Sequence, residues 1–275
     1  MTNSSVACWE LSVVLALQAT EGLLNYSKLP LTPGKRHLRN INEMTMTMIF
    51  KRLLLSALLL LALSSYTKAQ TAWRDSLATL NRLIAENPTS ADLRLKKAAV
   101  NIELGQWDYA VEEYTRVLQS DARNLAALYF RAYANVNRQQ YGQAKADYET
   151  FLSIAPLHME ARLGLATVCQ RLGRVTDARD ELNRLVEMFP DSAVAYAARA
   201  SFETAQQQYD VAIFDWDAAI SRSPHNADYV VSKVDALLAV GRKKEALQTL
   251  DDAQKRGIPR GLLRDWIDLC RSRRD

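Results

Sequence analysis

The stretch WDYAVEEYTRVL, from Trp107 to Leu118, decides the fold. Its apolar side chains recur three or four residues apart, which places them on one stripe of a helix: Trp107, Ala110, Val111, Tyr114, Val117 and Leu118. The pattern returns 34 residues later as YGQAKADYETFL, from Tyr141 to Leu152, with alanine and tyrosine at the same places. A repeat of this length predicts a chain built from copies of one small helical unit.

The step of 34 residues continues through five units. One column of small residues consists of Ala110, Ala144, Ala178, Ala212 and Ala246. A second consists of Ala98, Ala132, Ala166, Ala200 and Val234. A column of large residues consists of Tyr114, Tyr148, Leu182, Trp216 and Leu250. Small residues let helices approach closely, so each unit is expected to be a helix pair whose apolar face only its neighbours can cover.

Turn residues mark the ends of the predicted helices. Glycine is expected to end the first helix of alternate units in a left-handed conformation, at Gly105, Gly173 and Gly241. The other two turns carry Gln139 and Gln207, which can adopt that conformation at a small cost in strain. Proline closes three of the units, at Pro156, Pro190 and Pro224.

These columns resemble the tetratricopeptide repeat (TPR), whose motif has small residues at its eighth and twentieth places and proline at its thirty-second. The resemblance implies an all-α, right-handed α-solenoid. We expect its five repeats at 91–124, 125–158, 159–192, 193–226 and 227–260. Residues 70–90 are expected to form an orphan helix packed on the first repeat, and residues 261–275 a capping helix. The main departures are basic residues at the seventh place: Lys97, Arg131 and Arg199.

A leader precedes the repeats. Lys51 and Arg52 are followed by the uncharged run LLLSALLLLAL and then by small residues, which is typical of a secretory signal peptide. We place it at 48–69, with cleavage before Gln70; an uncleaved anchor or a core helix is a weaker interpretation, because the run is short for a membrane. The upstream segment 1–47 is either a disordered tail, starting at Met1, or not translated, with synthesis starting at Met44, Met46 or Met48. The mature chain is thus expected to be periplasmic or secreted, without an integral membrane span.

The net charge of +4 does not indicate nucleic-acid binding. Residues 1–69 contain 7 Lys+Arg against 3 Asp+Glu, and residues 70–275 contain 28 of each kind. The basic excess therefore belongs to the upstream segment and the leader.

No pattern in the repeats indicates catalysis, a metal or a cofactor. His158 and His225 are expected to be solvated turn residues, and Cys169 and Cys270 to be packing residues. The acidic pairs Asp215–Asp217 and Asp251–Asp252 are expected on solvated helix faces. Phosphate loops, serine elbows and HExxH motifs are not found in the sequence. We therefore expect a non-enzyme, and rank an enzyme whose site is assembled across repeats third among the possibilities.

The resemblance implies a concave groove, lined by the first helices, that receives a peptide or helix of a partner protein. The family's groove-facing places select six candidate residues: Tyr129, Tyr133, Asn137, Thr167, Gln170 and Arg171. Tyrosine and arginine are enriched at binding hot spots, but the two tyrosines could equally cover neighbouring helices. The alternative function is an accessory subunit of a cell-envelope assembly, docked through the convex face or the C-terminal helix. The partner, the pathway and the oligomeric state do not follow from the sequence.

Overall fold

The computed structural model describes residues 70–272. The expected upstream segment 1–47 and signal peptide 48–69 lie outside the described residues, as do residues 273–275. The described chain consists of twelve α-helices, and no strand occurs between residues 70 and 272. The expected all-α class is therefore confirmed.

The helices are numbered in chain order. Helix α1 covers residues 70–86 of the described chain. The five first helices of the repeats are α2 (Ala91–Glu103), α4 (Leu125–Asn137), α6 (Met159–Arg171), α8 (Ala193–Ala205) and α10 (Ala227–Ala239). The five second helices are α3 (Trp107–Ser120), α5 (Tyr141–Ile154), α7 (Val175–Met188), α9 (Tyr209–Arg222) and α11 (Lys243–Lys255). The last helix is α12 (Arg260–Ser272).

Each first helix begins after a side chain that caps it. The cap accepts a hydrogen bond from a backbone N–H in the first turn, which satisfies a donor that the helix itself leaves unpaired. Four of these residues are common helix caps: Ser90, Asn124, Ser192 and Asn226. The fifth is His158, whose Nδ1 accepts from the N–H of Ala161 at 3.1 Å.

The turns inside the repeats have the left-handed backbone that the glycine column predicts. Gly105, Gly173 and Gly241 have φ between 68° and 76°. Gln139 and Gln207 adopt the same conformation, with φ of 58° and 61°. The prediction for both kinds of turn is confirmed, and the two glutamines carry the strain of a side chain at positive φ.

Small residues allow the large side chains to pack between helices. Tyr148 is buried, and its ring lies on Gly164 of the next repeat. A Cβ added at residue 164 would be only 2.6 Å from the Cζ of Tyr148. The two alanine columns are buried in the described repeats, as is the expected core column of Tyr114, Tyr148, Leu182, Trp216 and Leu250. Each second helix packs on the first helix of its own repeat and of the next, which makes the array continuous.

The basic residues at the seventh place pair with buried carboxylates 16 residues later, in the second helix of the same repeat. These pairs are Lys97–Glu113, Arg131–Asp147 and Arg199–Asp215. Arg131 and Arg199 also reach the preceding repeat, where each donates from Nη1: Arg131 to Thr115 at 3.2 Å and Arg199 to Asn183 at 3.1 Å. Each of these arginines therefore connects three helices.

A different arginine serves the first and third repeats. Arg94 pairs with Glu113, and Arg162 pairs with Glu181. Both arginines also donate to the carbonyl oxygen of a proline six residues earlier, Pro88 and Pro156. When the arginine is at the fourth place of the repeat, its partner is the longer glutamate. When the arginine is at the seventh place, its partner is the shorter aspartate. Two arrangements of one buried ion pair thus alternate along repeats one to four.

Helix α12 packs against the fifth repeat. Its buried side chains Leu263, Ile267 and Cys270 belong to one apolar cluster with residues of α10 and α11. Trp266 adds a polar contact, because its Nε1 donates to Asp235 of α10 at 2.8 Å. The helix therefore covers apolar surface that the fifth repeat would otherwise expose.

Candidate partner-binding surface

The first helices form the inner side of the array. Helices α2 and α4, α4 and α6, and α8 and α10 contact one another directly. Among helices α2–α12, no two second helices are in comparable contact. Because helices on the inner side of a curve lie closer together, this pattern puts the first helices on the concave side.

Tyr129 lies in α4 and is half-buried among other rings. Its ring centroid is 6.0 Å from that of Tyr148, 5.7 Å from Phe151 and 5.4 Å from His158. Burial raises the pKa of Tyr129, and the charge of Glu160 raises it further. Tyr129 therefore joins α4 to the adjacent helices and contributes only part of its surface to the groove.

Tyr133 lies one turn further along α4 and is 41% exposed. One side of its ring is held by Trp107, with the centroids 6.0 Å apart in an edge-to-face arrangement. Asn137 follows after another turn, is exposed, and donates from Nδ2 to the backbone oxygen of Tyr133 at 2.9 Å. Of the two candidate tyrosines, Tyr133 is the more available to a partner.

The three candidates in α6 are all exposed. Thr167 occupies the place in its repeat that Tyr133 occupies in the preceding one, and its hydroxyl donates to the backbone oxygen of Leu163 at 2.9 Å. Gln170 and Arg171 lie in the last turn of α6, and neither has an ion pair or side-chain hydrogen bond within the described chain. Direct contact between α4 and α6 brings the two sets of candidates onto adjacent helices.

Two residues of this surface were missed by the sequence analysis. Phe130 is 43% exposed beside Tyr129 and stacks on Tyr114 with the centroids 6.2 Å apart. Glu160 lies in the first turn of α6, with its Oε2 3.5 Å from the Nδ1 of His158. In the tetratricopeptide family the second place of the repeat faces the groove, so the position of Glu160 could have indicated its location. Phe130 is at the sixth place, which gives no such indication.

The expectation of two solvated turn histidines is met in full by His225 and only in part by His158. His225 is exposed, but His158 is half-buried, caps α6 and packs edge-to-face on Phe151 at 4.8 Å. Its aromatic neighbours lie in α4 and α5, which could not be inferred from a turn position alone.

The expectation for the acidic pairs is wrong for Asp215. Its side chain is fully buried and accepts two hydrogen bonds from Arg199, at 2.7 and 2.8 Å. Asp217 is exposed and pairs with Lys233, and Asp251 is exposed. The missed signal was the recurring distance of 16 residues between a basic residue and an acidic one.

The described repeats offer little chemistry of other kinds. Residues 70–272 contain no group of three or more His, Cys, Asp or Glu side chains that could hold a metal ion. Cys169 and Cys270 are buried free thiols, and burial raises the pKa of both. Within the same range, no helix has the length and apolar character needed to cross a membrane.

One cleft lies away from the candidate groove. It has a volume of about 540 Å³ and separates α1 from the first repeat, between Leu77 and Ile84 on one side and Arg94 and Lys97 on the other. Asn101 lines it as well, and its buried Nδ2 has no hydrogen-bond partner in the described structure. At the place of Lys97, repeats two and four have Arg131 and Arg199, whose side chains reach the second helix of the preceding repeat. The shorter Lys97 pairs with Glu113 of its own repeat.

Protein-family models match part of the repeat array. Two family models, both described as tetratricopeptide repeat, match residues 135–202 and 197–260.

Curated relatives match over part of their length. Tetratricopeptide repeat protein 13 of Homo sapiens is 23% identical over 193 residues, which are 68% of this chain and 22% of that protein. The DnaJ homolog subfamily C member 7 homolog of Dictyostelium discoideum is 22% identical over 218 residues, 60% of this chain and 40% of that protein. General transcription factor 3C polypeptide 3 of Homo sapiens is 29% identical over 124 residues, 44% of this chain and 14% of that protein. The match thus spans well under half of each relative.

Solved structures share the architecture. A tetratricopeptide repeat protein from Parabacteroides merdae superposes with a TM-score of 0.52 at 20% identity, over 74% of this chain and 80% of that one. YrrB, described as a TPR protein with an unusual peptide-binding site, gives 0.52 at 21% identity, over 68% and 96%. MamA gives 0.54 at 18% identity, over 67% and 96%. At these identities the likeness concerns the fold alone. The helix pairs and these structures agree, and the described chain therefore has the fold of a tetratricopeptide-repeat α-solenoid, part of which the family models match.

Proposed function

We propose that the protein is a non-catalytic scaffold that binds a peptide or helix of a partner protein in its concave groove, in an extracytoplasmic compartment. The TPR fold suggests a protein–protein interaction scaffold. The proposal of a peptide or helix as the ligand depends on the surface of α4 and α6.

The exposed aromatic residues of α4 are the observation that carries this proposal. Tyr133 and Phe130 of this first helix are 41% and 43% exposed, although each packs on another ring. Large side chains that are ordered before binding lose little conformational freedom when a partner covers them. Aromatic residues are also enriched at binding hot spots, and the exposed Arg171 and Gln170 lie on the adjacent helix.

Among the structural relatives, YrrB is described as having a peptide-binding site. That description concerns YrrB, and it supports a peptide as the class of ligand for this solenoid.

The extracytoplasmic location is supported by the sequence at 48–69. A basic start, a short apolar run and a small-residue exit are the three parts of a signal peptide. If the segment is removed as proposed, mass spectrometry of the protein purified from its native host will find Gln70 at the N-terminus. An intact Ala69–Gln70 bond in the exported protein would contradict this assignment.

A second candidate function is docking to a cell-envelope assembly through another surface. Phe214 is 70% exposed on the second helix α9, and Leu262 is 57% exposed on α12. Exposed apolar residues on the convex side and the C-terminal helix are suitable contacts for such an assembly.

Two variants separate the proposals. The first replaces Tyr133 and Arg171 with Ala, and the second replaces Phe214 and Leu262 with Gln. All four side chains are exposed, so both proteins should keep the helical circular dichroism of the wild type. Each protein is used to capture partners from an extract of the native host, and the captured proteins are quantified by mass spectrometry.

If partners bind in the groove, the first variant should capture at least tenfold less of one or more partner proteins than the wild type does. The second variant should capture the same partners in unchanged amounts. The reverse result would favour docking through the convex side or the C-terminal helix. Retention of every partner by both variants would contradict both proposals.

A further inference from the structure

Helix α4 presents an aromatic surface made of Tyr129, Phe130 and Tyr133. The ring of Phe130 lies between Tyr114, stacked at 6.2 Å, and Tyr129, edge-to-face at 5.2 Å. The ring of Tyr133 packs on Trp107 at 6.0 Å. Neighbouring rings thus hold the aromatic surface in place, and its remaining area is open to solvent.

A carboxylate that pairs with no lysine or arginine of the described residues lies beside this surface. The Oε2 of Glu160 is 3.5 Å from the Nδ1 of His158, but this Nδ1 accepts the N–H of Ala161. Because the Nδ1 of His158 accepts this backbone hydrogen bond, it is not a hydrogen-bond donor to Glu160. Within the described residues, neither lysine nor arginine forms an ion pair with Glu160.

The carboxylate of Glu160 interacts electrostatically with Tyr129 of the aromatic surface. The rings of His158 and Tyr129 are 5.4 Å apart, and Glu160 is two residues from His158. After burial, the charge of Glu160 is the largest cause of the raised pKa of Tyr129, followed by the phenol of Tyr133. The same part of the surface therefore combines a negative charge with several aromatic rings.

Two exposed cations of the first helices do not pair with Glu160. Arg171 is at the other end of α6, about 16 Å from Glu160 at 1.5 Å per residue. At physiological salt, charges of exposed groups that far apart are largely screened from each other. Lys96 of α2 already pairs with Asp92 at 2.7 Å.

We propose that the aromatic surface of α4 and Glu160 together bind a lysine or arginine side chain of the partner peptide. Aromatic faces attract a cation within about 6 Å, and the carboxylate supplies the opposite charge. An acidic or phosphorylated segment would be repelled at this place. The inference rests on the proposed groove function and names the chemistry of the ligand there.

The experiment uses a displayed library of random dodecapeptides, selected on the purified protein. Selected peptides are expected to share a basic residue at one position. A synthetic copy of one such peptide, and a second copy with norleucine in place of the basic residue, are then titrated by calorimetry. The proteins are the wild type, Glu160→Gln and Tyr133→Leu, with Glu187→Gln as the matched control because Glu187 is an exposed glutamate on the second helix α7.

We expect Glu160→Gln to weaken the basic peptide three- to tenfold and Glu187→Gln to leave its affinity unchanged. Replacing the basic residue of the peptide with norleucine should weaken its binding to the wild type by a similar factor. The same replacement should weaken binding to Glu160→Gln little further, because the peptide change and the protein change remove the same interaction. Tyr133→Leu should weaken the basic peptide more than the norleucine peptide.

The two proposals can fail separately. Peptides that lose affinity with Tyr133→Leu but contain no shared basic residue and do not respond to Glu160→Gln would overturn the basic-ligand inference and leave the groove function standing. If no selected peptide responds to Tyr133→Leu or Glu160→Gln, the groove function is overturned together with this inference.

Discussion

The guanidinium of Arg199 holds the fully buried carboxylate of Asp215 through two hydrogen bonds, at 2.7 and 2.8 Å. These hydrogen bonds raise the pKa of Arg199. The third bond of Arg199, to Asn183 in the preceding repeat, joins two repeats through the same side chain. A residue that departs from the family motif thus has a structural role inside the solenoid.

Replacement of Arg199 with Ala should lower the free energy of unfolding by about 3–5 kcal/mol, because Asp215 would stay buried without its partner. The double variant Arg199→Met/Asp215→Leu should recover most of this loss, since no charge is then buried. Urea denaturation, monitored by circular dichroism, measures the free energy of unfolding of both variants. Arg116→Ala is the control, as its pair with Glu112 is half-exposed and should contribute no measurable stability. Equal losses in the single and double variants would contradict this account.

Gly164 should not tolerate a side chain. In Gly164→Ala the new Cβ would lie 2.6 Å from the Cζ of Tyr148, whose buried ring has little room to move. Alanine favours a helix by about 1 kcal/mol over glycine, but the clash costs about 1–3 kcal/mol, so a net loss is expected. Gly142→Ala is the matched control, because no atom lies within 4 Å of its added Cβ. The urea midpoint should fall for the first variant and rise slightly for the second.

The strained turn at Gln207 offers a stabilising change. Its φ of 61° suits glycine, which occupies the same turn at Gly173 with φ of 72°. Gln207→Gly should raise the free energy of unfolding by about 0.5–1 kcal/mol, because relief of the left-handed strain exceeds the entropy of glycine in the unfolded chain. The reverse change, Gly173→Gln, should lower it by a similar amount. A lower melting temperature for Gln207→Gly would show that the turn is not strained.

The fold could be predicted because each repeat requires the same few residues. A buried alanine column, a buried column of large residues and a left-handed turn recur at one spacing, and each follows from local helix geometry. The ion pairs were not predicted, although Arg199 and Asp215 are 16 residues apart as Arg131 and Asp147 are. Their partnership depends on how two helices face each other, which a search within single helices does not test.

The candidate surface was predictable only in part. The groove-facing places of the family located Tyr133, which is exposed, but also Tyr129, which packs among rings of α4, α5 and the turn before α6. How far a side chain is covered depends on its neighbours in the adjacent repeat. The role of His158 was missed for the same reason, since its contacts to Phe151 and Tyr129 arise only when the helices pack.

Removal of residues 261–275 should destabilise the solenoid. Leu263, Ile267 and Cys270 of α12 are buried in one cluster with Leu237 and Ile258, which would become exposed. Burial of each large apolar side chain contributes about 1.5–3 kcal/mol, so the loss should be on the order of 5 kcal/mol. The point variant Leu263→Ala should lose about 2–5 kcal/mol, whereas Leu262→Ala, with a side chain 57% exposed, should lose little. Thermal and urea unfolding of the three variants measure these differences. An unchanged melting temperature after the deletion would contradict the assignment of α12 as a cap, and equal losses at Leu262 and Leu263 would contradict the orientation of the helix.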